Sequence, residues 1–229
     1  MNMKTFIHWA GIMLPVMVIL IWGGVSLASS QKSATPFTLS LEDVEEGKLP
    51  PGWKVEATNP QGRLAEWAVV RHAGAPGEPR KVLSLTKIHD GSRGVFNLCW
   101  NPQVGFQDGV IEVKVRASTG AIDQGGGIIW RTRDANNYYV ARYNPLERNF
   151  RLYFVKEGKR QMLADRGGLG IKTGEWFTLK IVHRGDIIEG YLNGEKMWNI
   201  TDKTFQAAGG IGFWTKADAA TSFGDLKVN

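Results

Sequence analysis

From Phe37 to the C-terminus, apolar and polar residues alternate with a period of two. In the segment Asp108-Gly-Val-Ile-Glu-Val-Lys-Val-Arg-Ala117, Ile111, Val113 and Val115 fall on one face and Glu112, Lys114 and Arg116 on the other. That pattern predicts a half-buried strand, because successive side chains of a strand point to opposite faces. The same reading predicts strands at Trp67–Arg71, Lys81–Lys87, Val95–Trp100, Gly126–Arg133, Tyr138–Asn144, Asn149–Val155 and Arg160–Ala164. Further strands are predicted at Trp176–Arg184, Ile187–Leu192, Lys196–Ile200, Gly210–Thr215 and Thr221–Val228. Turn signals separate them: Asp134-Ala-Asn-Asn137, Asn144-Pro145, Glu157-Gly158, Arg184-Gly-Asp186 and Asn193-Gly194. Many short strands at this spacing, with no helical period, predict an all-β antiparallel sandwich or barrel. The Gly74–Pro79 stretch is predicted to be a surface loop.

The first 36 residues break this pattern. Lys4 is the only charge before Lys32, and an apolar run from Gly11 to Trp22 is followed by small residues ending at Ala28. This is the signature of a secretory signal cleaved after Ala28. An uncleaved anchor is the alternative, since the uncharged run is long enough to span a bilayer and Trp9 and Trp22 would sit at its interfaces. Either way the protein is expected to be exported, periplasmic or extracellular, with membrane contact only through residues 6–28. The predicted organisation is a signal or anchor at 1–28, a linker at 29–36 and one β domain at 37–229.

Composition narrows the partners. The formal charge of +6 falls by one when Lys4 leaves with residues 1–28, and the remaining excess forms no Arg/Lys block, which argues against a nucleic-acid partner. Cys99 is the only cysteine, so no intrachain disulfide forms and stability must come from burial. Cys99 itself is expected to be apolar filler. Seven tryptophans follow Ala28, a number that suits both a core and sugar-stacking platforms.

Five phrases carry a resemblance: Phe106-Gln-Asp-Gly-Val-Ile-Glu-Val113, Gly127–Arg142, Gly174-Glu-Trp-Phe-Thr-Leu-Lys180, Tyr191-Leu-Asn-Gly194, and Gly210–Asp218 with Phe223–Val228 closing the chain. In this order they resemble the concanavalin-like family that includes laminin-G-like modules and the 3-keto-disaccharide hydrolase domains. The resemblance covers nearly all of Phe37–Val228. It implies a two-sheet antiparallel jelly roll of the concanavalin/laminin-G type, with the last strand beside the first. Many such sandwiches hold a structural calcium, for which Asp43 and Asp225 are the candidate ligands here. Gly224 stands where relatives often carry an acid, which weakens that expectation, and no cofactor is otherwise implied.

Candidate binding residues follow from the strand pair flanking Asp134–Asn137. That loop sets Arg133 opposite Tyr138, Arg131 opposite Val140 and Ile129 opposite Arg142. Arg131, Tyr138 and Arg142 then share a solvent face with Arg151 and Tyr153 of the next strand. Ile128, Trp130, Thr132, Tyr139, Ala141 and Tyr143 face the core. Ile211 and Phe213 are also predicted core, which turns Trp214 outward. Arginines that fork onto hydroxyls or carboxylates and aromatics that stack on sugar rings make this set a candidate saccharide site. Its bland counterpart is an ordinary solvated sheet face. Catalytic signatures are missing: there is no Glu-x-Asp-x-x-Glu strand motif, and His72, His89 and His183 lie at no metal-ligand spacing. The leading expectation is an exported, non-catalytic carbohydrate-binding module. The alternatives are a glycoside hydrolase or lyase, with Glu112 or Asp123 as its acid, and an envelope adhesion protein.

Overall fold

The computed structural model describes Met1, residues 36–74 and residues 80–229. The expected signal or anchor and most of the linker and of the Gly74–Pro79 loop lie outside the described residues. The chain divides into two compact units, Met1–Ser30 and Gln31–Asn229.

The described part is all-β. Its strands are β1 (Phe37–Thr38), β2 (Lys54–Thr58), β3 (Glu66–His72), β4 (Arg80–Lys87), β5 (Phe96–Phe106), β6 (Gly109–Thr119), β7 (Gly126–Asp134) and β8 (Asn137–Asn144). They continue as β9 (Asn149–Lys156), β10 (Lys159–Arg166), β11 (Trp176–Arg184), β12 (Ile187–Leu192), β13 (Glu195–Thr201), β14 (Gly209–Lys216) and β15 (Ala220–Val228). One sheet runs β13-β12-β11-β6-β15-β4-β3, with β1 on β15, and the other runs β10-β9-β8-β7-β14-β5-β2. All the pairings are antiparallel. The first and last strands meet as expected, Phe37 opposite Val228 and Thr38 opposite Lys227. Asn193-Gly194 forms its tight hairpin turn with φ of 50° and 84°, the left-handed pair that a type I′ turn requires.

The two sheets sandwich an aromatic-rich core. Trp53 stacks on Phe213 at 5.1 Å, Phe213 on Phe223 at 4.3 Å, and Phe150 on Trp198 at 5.1 Å. Of the residues predicted to face inward, Ile128, Trp130, Tyr139, Ala141, Tyr143, Ile211 and Phe213 belong to it, as does Cys99, and Thr132 is buried as well. Burial pushes the Cys99 thiol well above its ordinary pKa, as suits a packing residue.

The seven-stranded sheet has a second apolar cluster on its other face: Phe96, Leu98, Trp100, Ile129, Tyr138, Val140, Tyr153, Val155 and Trp214. Strong coiling of the sheet explains why an outer face is dry. β2 and β8 are separated by β5, β14 and β7, a distance of about 19 Å in a flat sheet. Yet Thr58 at the end of β2 hydrogen-bonds the Ala135 carbonyl in the β7–β8 turn, and its hydroxyl lies 2.7 Å from the Tyr138 hydroxyl. Beside it, Asn59 donates to the Gly158 carbonyl in the β9–β10 turn at 3.1 Å. Opposite corners of the sheet therefore curl together and close over the apolar residues between them, an extreme form of ordinary strand twist.

Candidate functional site

The part of the seven-stranded sheet's outer face that the closed corners leave open is polar, and three strands build it. On β8, period two from the core residues Ala141 and Tyr143 turns Arg142 and Asn144 outward. Register places Arg151 of β9 opposite Arg142, and Asn149 opposite Asn144. The two-residue turn Glu157-Gly158 sets Arg160 of β10 opposite Val155, on the same outward face.

Hydrogen bonds tie these side chains into a network. The Arg142 guanidinium donates to Asn149, to Glu147 Oε2 at 2.7 Å and to the Tyr153 hydroxyl at 3.3 Å. Glu147 Oε2 also accepts from Arg151 at 2.9 Å, while Arg151 lies 3.0 Å from Asp165. Burial alone would raise the pKa of Glu147. The Arg142 charge and hydrogen bonds outweigh it, so the carboxyl sits below its ordinary value and stays ionised. Next to this cluster, buried Asp123 accepts from Lys216 at 2.6 Å and from Asn144 at 2.9 Å.

Arg160 closes the site on one side. Its guanidinium lies over three rings of the curled face: Tyr153 at 4.3 Å, Phe96 at 5.1 Å and Trp214 at 5.9 Å. Burial lowers its pKa, and the nearby Arg142 charge lowers it further. Arg160 Nη1 and Arg142 Nε are both buried without a hydrogen-bond partner among the described residues.

The six residues singled out from the sequence divide into three groups. Arg142, Arg151 and Tyr153 come together on this face, but only Arg151 reaches solvent, while Arg142 and Tyr153 are buried, 2% and 4% exposed. Tyr138 and Trp214 point to the expected face but are sealed inside the curl, 0% and 1% exposed. The Trp214 Nε1 donates to the Tyr138 hydroxyl at 3.3 Å, and its ring packs on Phe96. Neither is a solvent platform, because the corners of the sheet close over them.

Arg131 is not on the face at all. The turn starts in the expected register, Asp134 opposite Asn137, but the pairing then jumps to Trp130 opposite Tyr139, Ile129 opposite Val140 and Gly127 opposite Arg142. Arg131, Thr132 and Arg133 bulge opposite the single residue Tyr138. Arg131 takes φ of 46° and, 1% exposed, donates to the carbonyls of Gln107, Phe205 and Gly185 and lies 3.3 Å from Asp108. Four acceptors from three separate segments hold this bulge. Gly209 lets its backbone pack closely, since a Cβ there would lie 2.4 Å from the Arg131 carbonyl carbon. The register jump is two residues, so inward and outward parity survives.

Sequence reading missed Arg160, Glu147, Asn149, Asn144, Asp165 and Lys216. The Glu157-Gly158 turn, combined with the core parity of Phe154, could have placed Arg160. Glu147 and Asp123 sit in loops, where periodicity gives no signal. Of the two alternative catalytic acids, Asp123 lies here, whereas Glu112 is on the outward face of β6 in the other sheet, opposite Lys180 and Lys227. Asp225 is engaged by Arg80, Asp43 is exposed, and among the described residues no cluster of three or more His, Cys, Asp or Glu could hold a metal.

The sequence matches no protein-family model and no curated protein. Solved structures do match. A carbohydrate-binding module from Bacillus subtilis, CBM66, is 20% identical with a TM-score of 0.55, covering 72% of this chain and 97% of its own. A native glycosidic hydrolase is 16% identical with a TM-score of 0.56, covering 86% and 96%. A protein of unknown function with a galectin-like fold, also from Bacillus subtilis, is 15% identical with a TM-score of 0.51, covering 77% and 88%. At these identities the likeness is one of fold: this chain has the concanavalin- and galectin-like jelly roll.

Proposed function

We propose that the protein is an exported, non-catalytic module that binds saccharides on the open part of the seven-stranded sheet, around Arg142, Arg151, Glu147, Asn149 and Tyr153. The carrying observation is the hydrogen-bonded network of guanidinium, carboxylate and amide groups, which reaches the surface at Arg151 and Glu147. Such groups present fixed donors and acceptors to sugar hydroxyls. The fold shared with a carbohydrate-binding module supports the same reading.

The local electrostatics favour binding over hydrolysis of the 3-keto-disaccharide type. Glycoside hydrolysis needs one carboxyl held protonated near neutral pH. Here each carboxylate of the cluster has a cation: Asp123 with Lys216, Glu147 with Arg142 and Arg151, and Asp165 with Arg151. A glycan array probed with the full-length protein tests the reading. Binding to at least one glycan family, with no reducing sugar released from 3-keto-glycosides, is expected. Binding to none would refute the module. Turnover of a 3-keto-glycoside would replace it with the hydrolase.

A further inference from the structure

The binding reading says nothing about the charge of the sugar, but the site's own charge does. Four cations meet there, Arg142, Arg151, Arg160 and Lys216, against three carboxylates, Asp123, Glu147 and Asp165. Arg142, Arg151 and Lys216 each have a carboxylate within 3.0 Å. Arg160 has no ion pair among the described residues. It is held instead by aromatic rings, half-buried, with Nη1 out of reach of any acceptor. A buried guanidinium N–H left unpaired is costly. Arg142, almost wholly buried, likewise keeps Nε unpaired. The site holds one more cation than carboxylates, and half-buried Arg160, the cation without an ion pair, is the one left over.

Resting on the saccharide-binding reading, we propose that the natural ligand is an anionic saccharide, whose carboxylate or sulfate oxygens accept from Arg160 and complete the charge balance of the cluster. A guanidinium's planar fork matches either group, and a charge-assisted bond in a poorly hydrated site is stronger than a neutral one. A neutral sugar would leave the Arg160 charge uncompensated.

Isothermal titration of the full-length protein can use two anionic probes, oligogalacturonates and sulfated galactan oligosaccharides. Each is compared with its neutral counterpart, carboxyl-reduced or desulfated. One anionic probe is expected to bind at least about tenfold tighter than its neutral partner. The probe that does so identifies carboxylate or sulfate as the source. Arg160→Met, which keeps apolar cover over Tyr153 and Phe96, should abolish that preference, bringing the affinities for the anionic probe and its neutral counterpart to within about twofold of each other. Should Arg160→Met fail to fold, the wild-type salt dependence serves instead: affinity for the preferred probe should fall with added salt and that of its neutral partner should not. Equal or tighter binding of both neutral counterparts would overturn the inference and leave the saccharide reading standing. Binding of neither probe pair would also overturn the inference, and the glycan array then decides separately whether any sugar is bound.

Discussion

Trp214 shows how a side chain can obey its period and still change its role. Parity alone sends it away from Phe213 and out of the inter-sheet core, and the structure agrees. The curl of the sheet then buries it against Phe96, Tyr138 and Arg160. Trp214→Ala should therefore cost about 3–5 kcal/mol of stability in urea unfolding, as large-to-small core changes do. A loss below about 1 kcal/mol would mean that the ring is a surface platform after all. His183 makes a different kind of statement. Its Nδ1 accepts from Trp130 Nε1 at 2.9 Å, it is fully buried, and Nε2 has no hydrogen-bond partner among the described residues. Burial and then the Arg131 charge depress its pKa from 6.5 to about 3. The folded protein thus keeps the imidazole neutral, while the unfolded chain takes up a proton below pH 6.5. Stability must fall as pH drops from 6.5 towards 3. Between pH 6.5 and 5 the loss should be roughly 1.5–2 kcal/mol. His183→Gln, which can still accept from Trp130, should show a shallower slope over that interval in denaturant melts at several pH values. An unchanged slope would place the titration elsewhere.

At the scale of elements, regular strands were legible and irregularities were not. Every strand predicted from alternation is present, Trp176–Arg184 and Ile187–Leu192 match at both ends, and only the strand predicted to end at Trp100 runs much further, to Phe106. β2 was missed because Lys54-Val-Glu-Ala-Thr58 is short and weakly apolar, and it pairs only at the sheet's edge. The candidate site was half legible. Arg142, Arg151 and Tyr153 follow from period two, but the bulge that removes Arg131 depends on acceptors as far away as Phe205, which no local pattern encodes. The corner closure is equally non-local. It rests on Thr58, whose hydroxyl serves both the Ala135 carbonyl and the Tyr138 hydroxyl. Thr58→Val should cost about 1–2 kcal/mol. In hydrogen exchange it should speed the amides of the Asp134–Tyr138 turn while leaving β11 protected. Uniform acceleration across both sheets would show that this corner is not a separately closing element.

For the whole molecule, the two sheets divide the work. Their shared interface supplies the stability of a domain without disulfides, through the aromatic stack of Trp53, Phe213, Phe223 and Trp67. The eight-stranded sheet turns an ordinary charged face outward, where Lys196 and Glu189 pair beside Tyr191. The seven-stranded sheet coils, hides half of its outer face and leaves a charged network on the rest. The central claim is that this remaining face is where the protein meets a saccharide. The most direct measurement is amide hydrogen exchange of the full-length protein with and without a saturating oligosaccharide from the array. Protection concentrated in β8, β9, β10 and the Asn144–Asn149 connection is the predicted result. Protection on β6, β11 and β12, with β8–β10 unchanged, would contradict it.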